Sequence, residues 1–470
     1  MSGRAGATRS HGQALPLGLF FMLGTAAVMY FMFNSGRAVD EKLRITNAAD
    51  GAAYSVAVLE ARALNYDAYV NRAIVANQVA IAQAVSLASW MHYFRSGVDN
   101  AQALGDVASS WIYNPDDYAG LSQVVGSFGG TAYLDYLSGG TPGNALDGAV
   151  SMLDGLLATM VATHDMVSQA LSLSQSVLHA SLSAGAAQQA LANDIVRRID
   201  PAMSAELIPL SHGFDAFTRS YSRRGQSGDE RGRLADTILQ SRDTFARERR
   251  WSIAGPDIWP LQRNVELKRR GGTELINYDE WRAIDTLEHE GQRLRKGSWR
   301  WQRTSLAWGA AEADSGDGEP GTASHGGSRE DNLQTTKKHA EPSMLDLNSV
   351  GARFSGLPAT RDLAQLDPHE SSSTGVSVRV SKRRAALRTS GGSSIVQPSG
   401  RLRQFDAEVP GDVMVALSRA EVFFDRPEVR PDGKAEYASL YSPYWQVRLA
   451  SPSDLDRAWA AARQDGVFLP

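Results

Sequence analysis

Residues 14–33 read ALPLGLFFMLGTAAVMYFMF, twenty residues without a charge. At ~1.5 Å per residue, a helix of that length spans the ~30 Å hydrocarbon core of a bilayer. Tyr30, Phe31 and Phe33 fall near its end, where aromatic rings favour the membrane–water interface. The run is longer than the apolar core of a secretory signal, and no small-x-small cleavage site follows before Arg37. It is read as a membrane anchor, not a cleaved leader. No later stretch reaches about 18 apolar residues, so the rest of the chain is expected on one side of the membrane. Arg4 and Arg9 precede the run, while Arg37, Lys42 and Arg44 follow it, and charge alone leaves the orientation open.

The anchor runs on into a helical stalk. No proline occurs between Phe33 and Pro115, and apolar or small residues recur at alternating spacings of four and three. The series is Ile45, Ala49, Ala52, Val56, Leu59, Ala63, Tyr66 and Val70, continuing through Asn77 to Phe94. That seven-residue rhythm predicts one long helix with a continuous, alanine-rich seam. Two partners suit the seam: the chain's own later helices, or a helix of a neighbouring subunit. Asn77 on the seam is placed to fix register. A second helix is expected after the turn Thr141-Pro142-Gly143-Asn144, with Leu153, Leu156, Met160, Thr163, Val167, Ala170, Val177 and Ile195 among its repeat positions. Arg197 and Arg198 suit its last turn, and Pro201 stops it. Residues 97–140 read as a glycine- and aromatic-containing connector, and residues 34–223 as a helical hairpin or bundle.

Composition qualifies this picture. The 470 residues are 43% hydrophobic and 21% charged, with a formal net charge of -4, as expected of a folded protein. There is no basic excess of the kind nucleic-acid binders carry, and no nucleic-acid partner is expected. Cysteine is absent, which excludes disulfides, thiolate metal sites and a cysteine nucleophile. Between Ser96 and Val196 there is no Lys or Arg, and the only acids are nine Asp, which leaves +5 for the rest of the chain. This acidic stretch reads as a solvated face.

The C-terminal half differs in kind. Trp299–Trp308, Val376–Val380, Val413–Leu417, Glu421–Phe424 and Trp445–Leu449 carry the Val, Phe and Trp alternation of half-buried antiparallel strands. Helices are expected over Arg233–Arg249 and Ser453–Arg463. Residues 224–312 read as a mixed segment, 313–373 as a low-complexity flexible insertion, and 374–470 as a β-rich end. The fold class expected is α+β: an N-terminal transmembrane helix, a helical hairpin or bundle, then a β-rich region.

Chemistry is indicated nowhere. Phosphate-binding, nucleophile-elbow and His-Glu-x-x-His signatures are absent. Glu288-His289-Glu290 points its side chains in different directions, and the acids from Asp314 to Asp317 lack the calcium-loop spacing. His164 and His179 are expected as packing histidines. No catalytic, cofactor or metal site is assigned, and the chain is read as a non-enzyme.

Two stretches resemble a known family. The basic leader with Gly12-Gln13-Ala14-Leu15, the apolar helix, and Asn47-Ala48-Ala49-Asp50-Gly51-Ala52-Ala53 resemble TadE/TadG-like proteins of the tight-adherence (Flp, type IVb) pilus machinery. Glu436–Leu449 is similar to the ending of longer members. The resemblance covers residues 10–95 and 413–450. It implies a single-pass bacterial inner-membrane protein with cytoplasmic N-terminus and periplasmic bulk, acting as a pilin-like assembly component beside other pilus subunits. Homo- or hetero-oligomers through helix packing follow from the same likeness. It also implies leader processing between Gly12 and Gln13, although Leu17 stands where the family pattern has Glu. The Asp-x-Ser-x-Ser metal motif of larger members is absent. A periplasmic adaptor of an export system and a sensor input domain share the anchored hairpin and stand as alternatives.

Overall fold

The computed structural model describes residues 14–111, 142–183, 185–209, 213–221, 232–254, 262–276, 278–294, 301–314, 343–346, 354–364, 373–395, 412–434 and 436–464. The protein is a mixed helix-and-strand chain. Helix α1 (Ala14–Trp111) contains anchor and stalk in one element. It is followed by α2 (Pro142–Ser183) and α3 (Ala186–Ile199), separated at Gly185, whose φ of 64° is a left-handed conformation that glycine adopts without penalty. The connector expected from Gly97 is helical up to Trp111, and residues 112–141 lie outside the described residues.

The chain divides into two compact units that are interleaved along the sequence. Helix α1 contributes to both: residues up to Tyr69 belong to one, residues from Val70 to the other.

The first unit combines residues 1–69, 176–219 and 361–470. Its sheet has the order β1-β9-β10-β11, from β1 (Met203–Leu207), β9 (Ser373–Arg383), β10 (Val413–Phe424) and β11 (Trp445–Ala450), every pair antiparallel. The two runs expected at 413–417 and 421–424 are one strand. On β9, Val376, Val378 and Val380 point to the face that packs on Ile45, Ala49, Ala52 and Val56 of α1. The other face carries Arg379 and Arg419, and is met by α7 (Asp454–Gln464) through Arg419 to Asp456 (3.0 Å) and Arg463 to Glu206 (3.1 Å). Both faces of β9 are thereby covered, and alternation in burial disappears from Thr374 to Val380. Trp445 is buried against Phe217 of α4 (Phe214–Phe217) and Phe424, each edge-on. The Asn65 side chain accepts from the Trp445 amide and donates to its carbonyl, both at 3.0 Å, pinning β11 to α1.

Edge strand β1 is closed by side chains. Gln189 of α3 donates to Ala205 O (2.8 Å) and accepts from the Leu207 amide (3.0 Å), while Asn193 accepts from the Ala205 amide (3.0 Å). Those are the backbone groups a further strand would use.

The second unit combines residues 70–175 and 220–360. Its five-stranded sheet runs β3 (Trp251–Ala254), β4 (Gln262–Ile276), β5 (Glu280–Leu294), β6 (Trp301–Asp314) and β7 (Ser343–Asp346), antiparallel except β6–β7. The single helix expected over 233–249 is two, α5 (Gly232–Ser241) and α6 (Thr244–Arg247), because Asp243 caps the second by accepting from the Ala246 amide (2.7 Å). Strands β2 (Thr218–Tyr221) and β8 (Thr360–Leu363) form a separate ladder. The insertion expected over 313–373 is folded in part. It contains β7 and β8, and Phe354, Leu357 and Leu363 are buried.

Candidate interaction surfaces of the anchor and stalk

The anchor is bare. Leu15, Phe20, Phe21, Met22 and Met29 are all exposed, and α1 is the one described helix long and apolar enough to cross a membrane. Directly beyond the apolar run the chain clamps the helix to the sheet. Asn34 is buried and accepts from the Ser390 amide (3.1 Å), and Lys42 donates to Val415 O (2.5 Å). Between them Glu41 is fully buried, with Lys382 of β9 donating to it (2.6 Å) and to Asp200 (2.9 Å). Burial pushes the Asp200 carboxyl up, but hydrogen bonds from Lys382 and the Ala202 amide outweigh that and hold it below the ordinary carboxylate value. A depressed carboxyl contributes stability above its unfolded pKa, and this contribution is lost as pH falls through the folded value.

The seam expected for packing is mostly consumed inside the chain. Ile45, Ala49, Ala52, Val56, Ala63 and Val70 are buried, Leu59 is half-buried, and Tyr66 is 39% exposed. Gly12 and Gln13 lie outside the described residues.

Contacts between α1 and α2 are made by polar side chains. In the first unit His179 Nε2 lies 2.6 Å from Asp67 Oδ2, both buried, and the imidazole stacks on Phe214. In the second unit Gln175 donates to Asn71 (2.9 Å), His164 Nδ1 meets Asn77 Oδ1 (2.6 Å), and His92 meets Asp154 (3.1 Å). Both predicted packing histidines have this role, and Asn77 meets its partner within one chain. The apolar repeat expected to bury on α2 faces outward instead: Leu156, Val167 and Val177 are exposed, while Ser168, Ser172 and Gln175 are buried. Of the nine Asp of the acidic stretch, three have described side chains: Asp154 is bound to His92 and Asp165 accepts from the Ser355 amide (3.1 Å), while Asp194 is exposed, as expected, and pairs with Arg198 (2.8 Å).

A buried ionic cluster lies within the second unit. Arg249 donates to Asp285 through Nε (2.8 Å) and Nη2 (2.7 Å), and Ser89 of α1 donates to the same carboxylate (2.8 Å). Trp281, fully buried beside it on β5, donates to Gln78 (3.3 Å). Gly271 on β4 makes room for this cluster, since a Cβ there would overlap the Asp285 carboxylate and lie 3.1 Å from Arg249 Cβ. Gly271→Ala is therefore expected to lower stability by about 1–3 kcal/mol. Urea unfolding of the purified chain measures it; a midpoint equal to wild type would refute the close approach.

Glu60, buried on α1, has its carboxyl pushed up by desolvation to about 8, so it is protonated in the folded protein at neutral pH. Between the unfolded value near 4.5 and the folded value near 8, only the folded state holds the proton. Stability then falls by about 1.4 kcal/mol per pH unit as pH rises through that window. Glu60→Gln is expected to flatten the fall and to raise the unfolding midpoint at pH 8. Equal pH slopes for the two proteins between pH 5 and 8 would count against it.

Among the described residues no group of three or more His, Asp or Glu side chains is placed to hold a metal ion. No family model, no curated protein and no solved structure matches the chain.

Proposed function

We propose that this chain is a non-enzymatic, membrane-anchored, pilin-like component of a bacterial Flp/Tad-type pilus or secretion assembly, with its bulk in the periplasm. One observation carries the reading: a bare apolar helix continues without a break into the spine of a folded unit, and a sheet is clamped to that spine by Glu41 and Lys42 just beyond the apolar run. The sequence likeness to TadE/TadG-like proteins supports it, as does an organisation of the described residues around packing and contact. A helix anchored in this way carries its folded unit to wherever neighbouring membrane helices assemble, and small residues such as Gly18, Gly24, Ala26 and Ala27 in the anchor allow close helix approach. Crosslinking in cells followed by membrane solubilisation tests the reading. Co-purification with the pilus subunits is expected, together with loss of pili in a strain lacking the protein. Normal piliation in that strain would overturn it.

A further inference from the structure

The outer face of α2 is uncharged along its described length. From Gly148 to Ser183 the exposed residues are apolar, small or hydroxyl-bearing, and the acids Asp154 and Asp165 are turned inward to His92 and the Ser355 amide. Met152, Leu156, Met166, Val167, Leu173 and Val177 stand out from this face, with exposures from 40% at Val167 to 72% at Met152. Thr159, Thr163 and Ala170 complete a four–three spacing from Met152 to Val177, which is the spacing of a two-helix seam. Water does not select such a face. Monomeric soluble proteins rarely leave more than a few hundred Å² of contiguous apolar surface bare.

We propose that this face pairs in parallel with the same face of a second copy of the chain. Three features favour a second copy. The seam has no exposed charge, so two identical faces meet without like-charge repulsion, which is the usual obstacle to self-pairing. The stripe runs for ~38 Å along the helix, and its protruding side chains offer apolar area of the order a stable interface needs, ~800 Å² per partner. The pairs Asn71–Gln175, Asn77–His164 and His92–Asp154 make α2 antiparallel to α1, which carries the anchor. Two copies inserted in the same sense into one bilayer therefore present their α2 helices in the same direction, and a twofold axis brings like residues together. Thr159, Thr163 and Ala170, short side chains at the middle of the stripe, let the helices approach closely there. The inference rests on the membrane-anchored part of the proposed function and not on the pilus assignment.

The native chain has no cysteine, so single-cysteine variants of the full-length protein in native membranes test it cleanly. Met166→Cys, Leu173→Cys and Val177→Cys are expected to give disulfide-linked dimers on mild oxidation, at least tenfold above Arg62→Cys and Arg72→Cys on the exposed face of α1. In detergent, Leu173→Glu is expected to shift the wild-type dimer to monomer in sedimentation at equal concentration, with an unchanged circular dichroism spectrum. A monomeric wild type whose stripe cysteines do not link would overturn the proposal, because the face is then covered by the chain's own residues or by none. Links only to unlike proteins, or equal linking at the Arg62 and Arg72 positions, would overturn it as well.

Discussion

Arg249→Ala is expected to destabilise the second unit by about 3–5 kcal/mol, the loss typical of breaking a buried ion pair from one side. Asp285 is fully buried and receives two hydrogen bonds from this guanidinium, so the substitution deprives a desolvated carboxylate of its cation. Burying such a charge without its counter-ion is the expensive term, more so than the loss of the contacts themselves. Arg249 also donates to Phe245 O and Gly272 O, tying α6 and β4 into the same centre. Faster hydrogen exchange in β5 around Trp281–Asp285, with a lower unfolding midpoint, is the expected signature. Replacing both charges, as in Arg249→Met with Asp285→Leu, is expected to cost less than either single change, because no lone charge is left behind. A double variant worse than both singles would show that packing, not charge, governs the site.

Lys382→Met is expected to have an effect of similar size in the first unit, about 3–5 kcal/mol. Lys382 is 1% exposed at its side chain and lies between Glu41 and Asp200, so its removal leaves Glu41 with only the half-exposed Arg388 at 3.6 Å and deprives Asp200 of its ammonium partner. Asp200, which Lys382 helps to hold below the ordinary carboxylate value, protonates more readily without it, so the deficit should shrink as pH is lowered from 7 towards 5. Adding Glu41→Gln to Lys382→Met is expected to recover a large part of the loss. Exchange at β9 and β10 amides follows both effects; a deficit independent of pH and not relieved by Glu41→Gln would contradict the charge argument.

The apolar N-terminal helix and the strands β9, β10 and β11 were legible because their residues state one environment each: twenty uncharged residues in the first case, Val, Phe and Trp alternation in the others. Strands β4 and β5 were not legible. On β5, Asp285 becomes tolerable only through Ser89 and Arg249, contributed from elsewhere in the chain, and the buried Arg282 pairs with Glu280 on the same strand. The phase of α2 was misread for the same reason. Hydrophobicity assigned Leu156, Val167 and Val177 to the interior, yet Ser168, Ser172, Gln175 and His179 occupy it by hydrogen bonding to α1 and to the segment before β8. The helical repeat was correctly timed and the buried face wrongly chosen. The interleaving of the two units was equally invisible, since the contacts of Asn65 with Trp445 and of Lys382 with Glu41 span hundreds of residues.

The amide side chains along β1 have a consequence for traffic between chains. Gln189 and Asn193 occupy the hydrogen-bonding positions at Ala205 and Leu207 that an incoming extended peptide would need. An open strand edge of this kind is where other extended chains most readily add to a sheet. Here that margin of the sheet is already occupied by the protein's own side chains, so β1 is closed to such an addition.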